Sequence, residues 1–123
     1  MKNILMVGAA SALLSLAYAA EQTDWPAPYR PFKGEYTIYS GGHGDQQAPT
    51  REDRKLSFIV EGQPAKDIFD SMGPDDKHTC SDEKGARSRT KGSAWCTYSP
   101  GDGYSCYFGI DLRTGKSIAG GTC

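Results

Sequence analysis

One stretch of the sequence holds side chains that could bind a ligand. Residues 41–53 begin G-G-H-G-D, so His43 and Asp45 lie beside glycines that allow close backbone approach. One interpretation is a small-molecule or metal-ion site with His43 and Asp45 as ligands. The other is a glycine-rich surface loop whose histidine is solvated. Glu52 and Asp53 add carboxylates, although residues of a loop have no fixed geometry for acid–base chemistry.

A second group of candidates is basic. Arg87, Arg89 and Lys91 alternate with small polar residues, so in a strand they share one face. Arg113 and Lys116 flank a later turn. These charges could contact an acidic protein partner, or they could keep an edge strand soluble. Three aromatic residues are predicted on the sheet face opposite the core, where they could anchor an interface: Tyr39, Trp95 and Tyr107.

Enzymatic and metal-binding motifs are missing from the sequence. The chain has two histidines and no G-x-S-x-G, H-E-x-x-H, P-loop or G-x-G-x-x-G pattern. His78 and Cys80 form the one close His/Cys spacing, without a C-x-x-C partner. We therefore expect neither a catalytic site nor a cofactor.

The cysteines predict two disulfides. All four, Cys80, Cys96, Cys106 and Cys123, follow an apparent export signal, and an even count in an oxidising compartment is typical of cross-links. Loop entropy favours Cys80 with Cys96 and Cys106 with Cys123, because a bridge within one tight hairpin closes a short loop. Hairpin geometry instead places Cys96 opposite Cys106, which leaves Cys80 for Cys123.

The spacing of apolar residues predicts the elements that position these side chains. Residues 34–40, 54–61 and 86–91 and the last third, 94–123, alternate as β-strands, with Tyr36 and Ile38 pointing inward. One face of a short helix, which Gly73 and Pro74 end, is predicted from the spacing of Ala65, Ile68, Phe69 and Met72. The expected fold is α+β, with about five antiparallel strands in the order β-β-α-β-β-β and the helix on one face.

The N-terminal third has the pattern of an exported protein. Residues 1–19 resemble a signal peptide, with Lys2, an apolar run and A-Y-A before the cleavage point. Removing them leaves 104 residues with a net charge of −2, which indicates neither nucleic acid as partner nor membrane insertion after cleavage. Residues 20–33 are a proline-rich extended leader that Trp25, Tyr29 and Phe32 are expected to anchor. Residues 34–123 are then a single disulfide-braced domain.

These observations favour a periplasmic or secreted, non-enzymatic binding protein. We expect a protein-binding inhibitor or immunity-type protein of the bacterial envelope, because a braced sheet with rigid loops suits the occlusion of another protein's cleft. In size and layout the chain is similar to periplasmic inhibitors of cell-wall hydrolases, a likeness of build without a matched motif. The loop 41–53 and the turn from Arg113 to Lys116 are the expected contacts. The alternative is the small-molecule or metal-ion binder; a small hydrolase ranks last.

Overall fold

Within residues 27–123, alternating apolar and polar residues produce seven strands, and one helix follows the third. The structure, a computed structural model, describes residues 27–123. The strands are β1 (Lys33–Gly42), β2 (Asp45–Gln47), β3 (Lys55–Glu61), β4 (Arg87–Lys91), β5 (Ala94–Ser99), β6 (Gly103–Asp111) and β7 (Ser117–Ile118), and the helix is α1 (Gln63–Ser71).

The strands form one antiparallel sheet in the order β2-β1-β3-β6-β5-β4, and β7 pairs with β6. The predicted α+β fold is confirmed. The additional strands, β2 and β7, are only three and two residues long. Part of the expected loop 41–53 therefore belongs to a hairpin between β1 and β2.

The helix lies on one face of the sheet, which we call the helix face. Gly62, at a φ of 70°, turns the chain out of β3, and Pro64 suits the first turn of the helix. Ala65 and Phe69 are fully buried, and the Phe69 ring meets Tyr104 edge-on at a centroid distance of 5.2 Å. The predicted apolar stripe is confirmed as the contact with the sheet.

The buried core is small because one short helix covers a wide sheet. It consists of Val60, Ala65, Phe69, Cys96 and Cys106, and Phe58 and Phe108 pack at its margin. Nine residues of helix extend about 13 Å, whereas six neighbouring strands span about 24 Å. Within the described residues, part of this apolar face of the sheet therefore has no helix over it.

The disulfides join Cys80 to Cys123 and Cys96 to Cys106. The pairing favoured by loop entropy is therefore wrong. The register of β5 and β6 sets Cys96 directly opposite Cys106, with their Cα atoms 4.0 Å apart, and this proximity decides the pairing. Among the described residues no cysteine is free. Two disulfides fit an exported chain.

The C-terminal tail, residues 119–123, crosses the opposite face of the sheet, which we call the tail face. Gly120 lies against the backbone of Phe108, where an added Cβ would be 2.3 Å from the amide nitrogen, so only glycine fits. Ser57 donates a 2.6 Å hydrogen bond to the carbonyl of Gly120. The pair Gly120 and Gly121 predicts a bulge that would bring Cys123 opposite Cys106. This bulge does not form, because the tail leaves the sheet plane and Cys123 bonds to Cys80.

Three other expectations need correction. A three-residue turn with Gly115 at positive φ predicts Ile118 opposite Ile110, whereas Ile118 pairs with Gly109, a shift of one residue. Tyr39 lies on the tail face as predicted but is buried, 3% exposed. Tyr29 and Phe32, the expected anchors of the leader, are both exposed.

Residues Pro31–Cys123 form one compact unit. The predicted signal peptide and residues 20–26 of the leader lie outside the described residues. Among residues 27–123, no helix has the length and apolar character needed to cross a membrane.

Candidate functional site

The helix face exposes a contiguous group of apolar side chains beside the helix. We call it the uncovered patch and define it as Phe32, Tyr36, Ile38, Leu56 and Phe58. Their exposures are 60% for Phe32, 76% for Tyr36 and 42% for Ile38. Register connects them, since Tyr36 is opposite Phe58 and Ile38 is opposite Leu56. An apolar cleft of about 390 Å³ lies between Phe32, Tyr36, Leu56 and Phe58. Exposed patches of this kind mark interaction sites.

The edge of the sheet next to the uncovered patch is open. Residues 33–39 of β1 pair with β3 on one side, and β2 pairs only with Ser40–Gly42. Within the part of the chain that the structure describes, no strand lies along the other side of residues 33–39. Every residue from Pro31 to Ile38 is exposed. The backbone there presents free N–H and C=O groups to solvent or to a partner.

The two segments expected to make contacts meet at one end of the sheet. Arg113 Nη1 donates a 2.6 Å hydrogen bond to the carbonyl of Glu52, which joins the final turn to the loop after β2. The pairing of Lys55 with Asp111 places this junction at the start of β3, next to Leu56 of the uncovered patch. Lys116 lies in the same turn and is exposed.

A carboxylate at the base of the loop holds this end together. Asp53 Oδ1 is 2.6 Å from Lys55 Nζ, and Asp53 Oδ2 accepts a 2.8 Å hydrogen bond from the Gly41 amide. The hydrogen bond from Lys55 is the main cause that lowers the pKa of Asp53, and the Gly41 amide adds to it. The carboxylate stays ionised and fixes the start of the loop.

His43 makes contacts within the fold, whereas Asp45 is exposed. His43 Nε2 lies 2.8 Å from the carbonyl oxygen of Ala119 and 3.1 Å from the hydroxyl of Tyr39. Because a carbonyl only accepts, this nitrogen carries the proton and ties the β1–β2 hairpin to the C-terminal tail. Among residues 27–123, no three His, Cys, Asp or Glu side chains are grouped to hold a metal ion.

Arg87 and Arg89 form ion pairs with a carboxylate of the same chain. Both donate to Asp75, with Arg87 Nε and Arg89 Nε 2.7 and 2.8 Å from its carboxylate oxygens. Hydrogen bonds from Arg87 first, and from Arg89 second, lower the pKa of Asp75 to about 2. The same interaction raises the pKa of Arg87. Arg89 also lies 4.3 Å over the Phe69 ring and donates to the carbonyls of Phe69 and Met72. These two arginines therefore clamp the end of α1.

Trp95 and Tyr107 stack on each other on the tail face, with ring centroids 4.7 Å apart. Gly121 of the tail lies close to both rings and shields one side of the pair. The other side opens into a groove of about 900 Å³ whose walls carry both hydroxyl-bearing and charged side chains, among them Ser105 and Arg87. The two aromatic residues are half-buried, so they form a ligand-accessible floor as well as a contact for the tail.

The sequence-predicted residues thus fall into three groups. Arg113, Lys116 and the loop lie at the uncovered end of the sheet, Trp95 and Tyr107 line the groove, and His43 and the two clamp arginines have structural contacts. Sequence reasoning placed Tyr36 and Ile38 in the core and so missed the uncovered patch. A comparison of areas could have revealed it, because the predicted apolar face of the sheet spans more strands than one short helix can cover.

Fold and surface together define a small, disulfide-braced α+β domain with an open sheet edge and an exposed apolar patch. Comparisons of this chain with protein-family models, with curated proteins and with solved structures found no match.

Proposed function

We propose that this chain is an exported, non-enzymatic binding protein whose uncovered patch contacts another protein. The observation that carries the proposal is the exposure of Phe32, Tyr36 and Ile38 around an apolar cleft on a rigid sheet. A monomer in water gains nothing from such a patch, whereas burial in an interface is favourable by about 25 cal/mol per Å² of apolar area. Aromatic side chains at its centre suit the role of interface anchors.

The loops at the end of the patch support the same surface. The Arg113–Glu52 hydrogen bond holds the final turn and the loop together beside Leu56, so a polar rim borders an apolar centre. This is the usual anatomy of a protein–protein contact. A partner segment with apolar side chains flanked by acidic residues fits it, because Arg113 and Lys116 are exposed at the rim.

The more specific form of the proposal is an inhibitor or immunity-type protein of the bacterial envelope, either periplasmic or secreted. Its support is the combination of two disulfides, a compact sheet and a rigid projecting surface. A braced surface loses little entropy on binding, which suits the occlusion of a cleft.

The test is capture from a native envelope extract with the disulfide-bonded chain and a patch variant. The substitutions Tyr36→Ser and Ile38→Thr remove apolar area while keeping residues compatible with a strand. The matched control is Thr37→Ser, on the opposite face of the same strand. We expect one stoichiometric partner with the natural chain and the control, and its loss with the double variant. A partner captured equally well by the double variant contradicts the assignment of this surface.

The groove on the tail face favours a second candidate, a small-molecule binder. Its aromatic floor and hydroxyl-bearing walls suit a ligand with an apolar ring face and polar edges, such as a neutral saccharide. This differs from the expected site at His43 and Asp45. Because the chain has two tryptophans, Trp25→Phe leaves Trp95 as the sole reporter. Titration with neutral mono- and disaccharides should then change its fluorescence, and an unchanged spectrum with all of them removes this candidate.

A further inference from the structure

The open edge of β1 carries a pattern that is complementary to itself. In residues 32–36, F-K-G-E-Y, an aromatic residue and a charge stand on each side of Gly34, and the two charges are opposite in sign. Phe32 and Tyr36 line the apolar cleft on the helix face, whereas Lys33 and Glu35 point to the tail face. A strand that adds to this edge must alternate in the same way, and β1 itself does.

We propose that two copies of the chain pair antiparallel along this edge, about a two-fold axis through Gly34. This axis is perpendicular to the sheet. It sets each residue before Gly34 opposite the residue that lies equally far after Gly34 in the second copy. Lys33 then faces Glu35 of the second copy, and symmetry repeats the ion pair. Phe32 faces Tyr36 in the same way on the other side of the sheet. Opposite charges and aromatic pairs directly across two strands stabilise their pairing.

Other two-fold registers lose this complementarity. An axis through Glu35 sets two identical carboxylates opposite each other, which is repulsive. An axis through Tyr36 places Lys33 opposite Tyr39 and Glu35 opposite Thr37, so neither charge is matched. The Gly34 register pairs residues 32–36 of the two copies and leaves clear the Ser40–Gly42 stretch that pairs with β2.

The pairing extends the proposed binding surface, and this consequence depends on the proposed function. The two-fold axis keeps both helix faces on the same side, so the two uncovered patches become one apolar floor. Five strand spacings then separate the β6 strands of the two copies, about 24 Å. A helix stands over β6 in each copy, so the joined floor lies between two helices, in a channel that fits a partner's apolar segment.

The test is the mass in solution of the disulfide-bonded chain, by sedimentation equilibrium over a concentration series. We expect a dimer for the natural chain, and about tenfold weaker association for Lys33→Glu and for Glu35→Lys, since each variant sets like charges opposite in both pairs. The double variant Lys33→Glu/Glu35→Lys restores both pairs and should restore association. Circular dichroism confirms that each variant is folded.

Three results overturn the dimer. These are a natural chain that stays monomeric up to millimolar concentration, a double variant as weak as the single ones, and equal weakening by the control Lys91→Glu on β4. A monomer that still captures its partner through Tyr36 and Ile38 leaves the proposed function intact, with the β1 edge free for a strand of that partner. A dimer with the charge-swap behaviour but without a captured partner supports the pairing alone.

Discussion

The two halves of the helix face consist of the same strands, but one half is buried under the helix and the other is exposed. Near one end of β3 and β6, Val60 and Cys106 are paired and buried under α1. Near the other end, Leu56 and Ile110 are paired in the same way but remain half-exposed, beside Tyr36 and Ile38. The alternation of apolar residues is continuous from one half to the other. The difference arises from the reach of one nine-residue helix.

This contrast separates stability from function within one surface. The covered half contains the core, a disulfide and the arginine clamp, so changes there should lower the free energy of unfolding. The uncovered half contributes little burial, so changes there should affect association and leave folding intact. Changes in the covered half should therefore have larger effects on folding than changes in the uncovered half.

Truncation of matched aromatic residues tests the division directly. Phe69→Ala removes a fully buried ring and should lower the free energy of unfolding by about 3–5 kcal/mol. Tyr36→Ala, in the uncovered half, should change it by less than about 0.5 kcal/mol. Urea denaturation followed by circular dichroism measures both. Similar losses for the two variants would mean that the uncovered half is also part of the folding core.

The two disulfides should differ in their response to reductant. Cys80 and Cys123 are exposed, whereas Cys96 and Cys106 are buried beneath α1. A mild reductant without denaturant should therefore open only the Cys80–Cys123 bridge, which alkylation and mass spectrometry detect. The cysteines of this bridge are 43 residues apart, and those of the Cys96–Cys106 bridge are 10 apart. In the chain-entropy model, opening the first lowers the free energy of unfolding by about 4 kcal/mol, and opening the second lowers it by about 3 kcal/mol.

Full reduction removes both cross-links, and we expect it to unfold the chain, because small domains have only about 5–15 kcal/mol in total. A fully reduced sample that keeps its melting temperature contradicts this expectation. Simultaneous reduction of both bridges under mild conditions contradicts the predicted order.

Acid should weaken the clamp of the covered half. The pKa of Asp75 is about 2 in the folded protein, because Arg87 and Arg89 bind its ionised form, against about 3.9 for an unfolded aspartate. A lowered pKa stabilises the fold above the unfolded value, and that contribution disappears as the pH falls from about 4 to 2. The melting temperatures of the natural chain and of Asp75→Asn should converge over this range. A constant difference between them argues against the clamp.

The smallest effect is expected at the end of the uncovered half. Arg113→Ala removes the hydrogen bond to Glu52 and should lower the free energy of unfolding by less than about 1 kcal/mol, since the contact is exposed. The control Lys116→Ala, in the same turn, should have no measurable effect. If Arg113→Ala leaves partner capture unchanged as well, the polar rim does not include this turn.

Local patterns predicted the elements well because they depend on neighbouring residues. The alternation in β3 and β6, the stripe of α1 and the positive φ of Gly115, at 75°, are all present in the structure. The pairing of Cys96 with Cys106 depends on the register of a hairpin. Loop entropy ignores that register and therefore predicted the wrong pairing. The burial of Tyr39 depends on His43 and Lys55 above it, and no periodicity records such contacts.

The candidate surface could be predicted only in part. Arg113, Lys116 and the loop after β2 were found because turns between strands are exposed by construction. Arg87 and Arg89 looked like a free basic face, because their partner, Asp75, lies in a segment without periodicity. The uncovered patch was hidden because an exposed apolar strand face and a buried one have the same sequence pattern.

The sequence by itself determined the antiparallel sheet, the short helix and the two cross-links, because alternation, helical spacing and an even cysteine count are local or compositional properties. The tertiary structure decided which half of the apolar face the helix covers, which cysteines meet and which charges are already paired. These depend on distances between residues far apart in the chain. Whether a side chain is buried depends on which other elements pack against it. The exposed half of this sheet could therefore be identified only once the position of the helix was known.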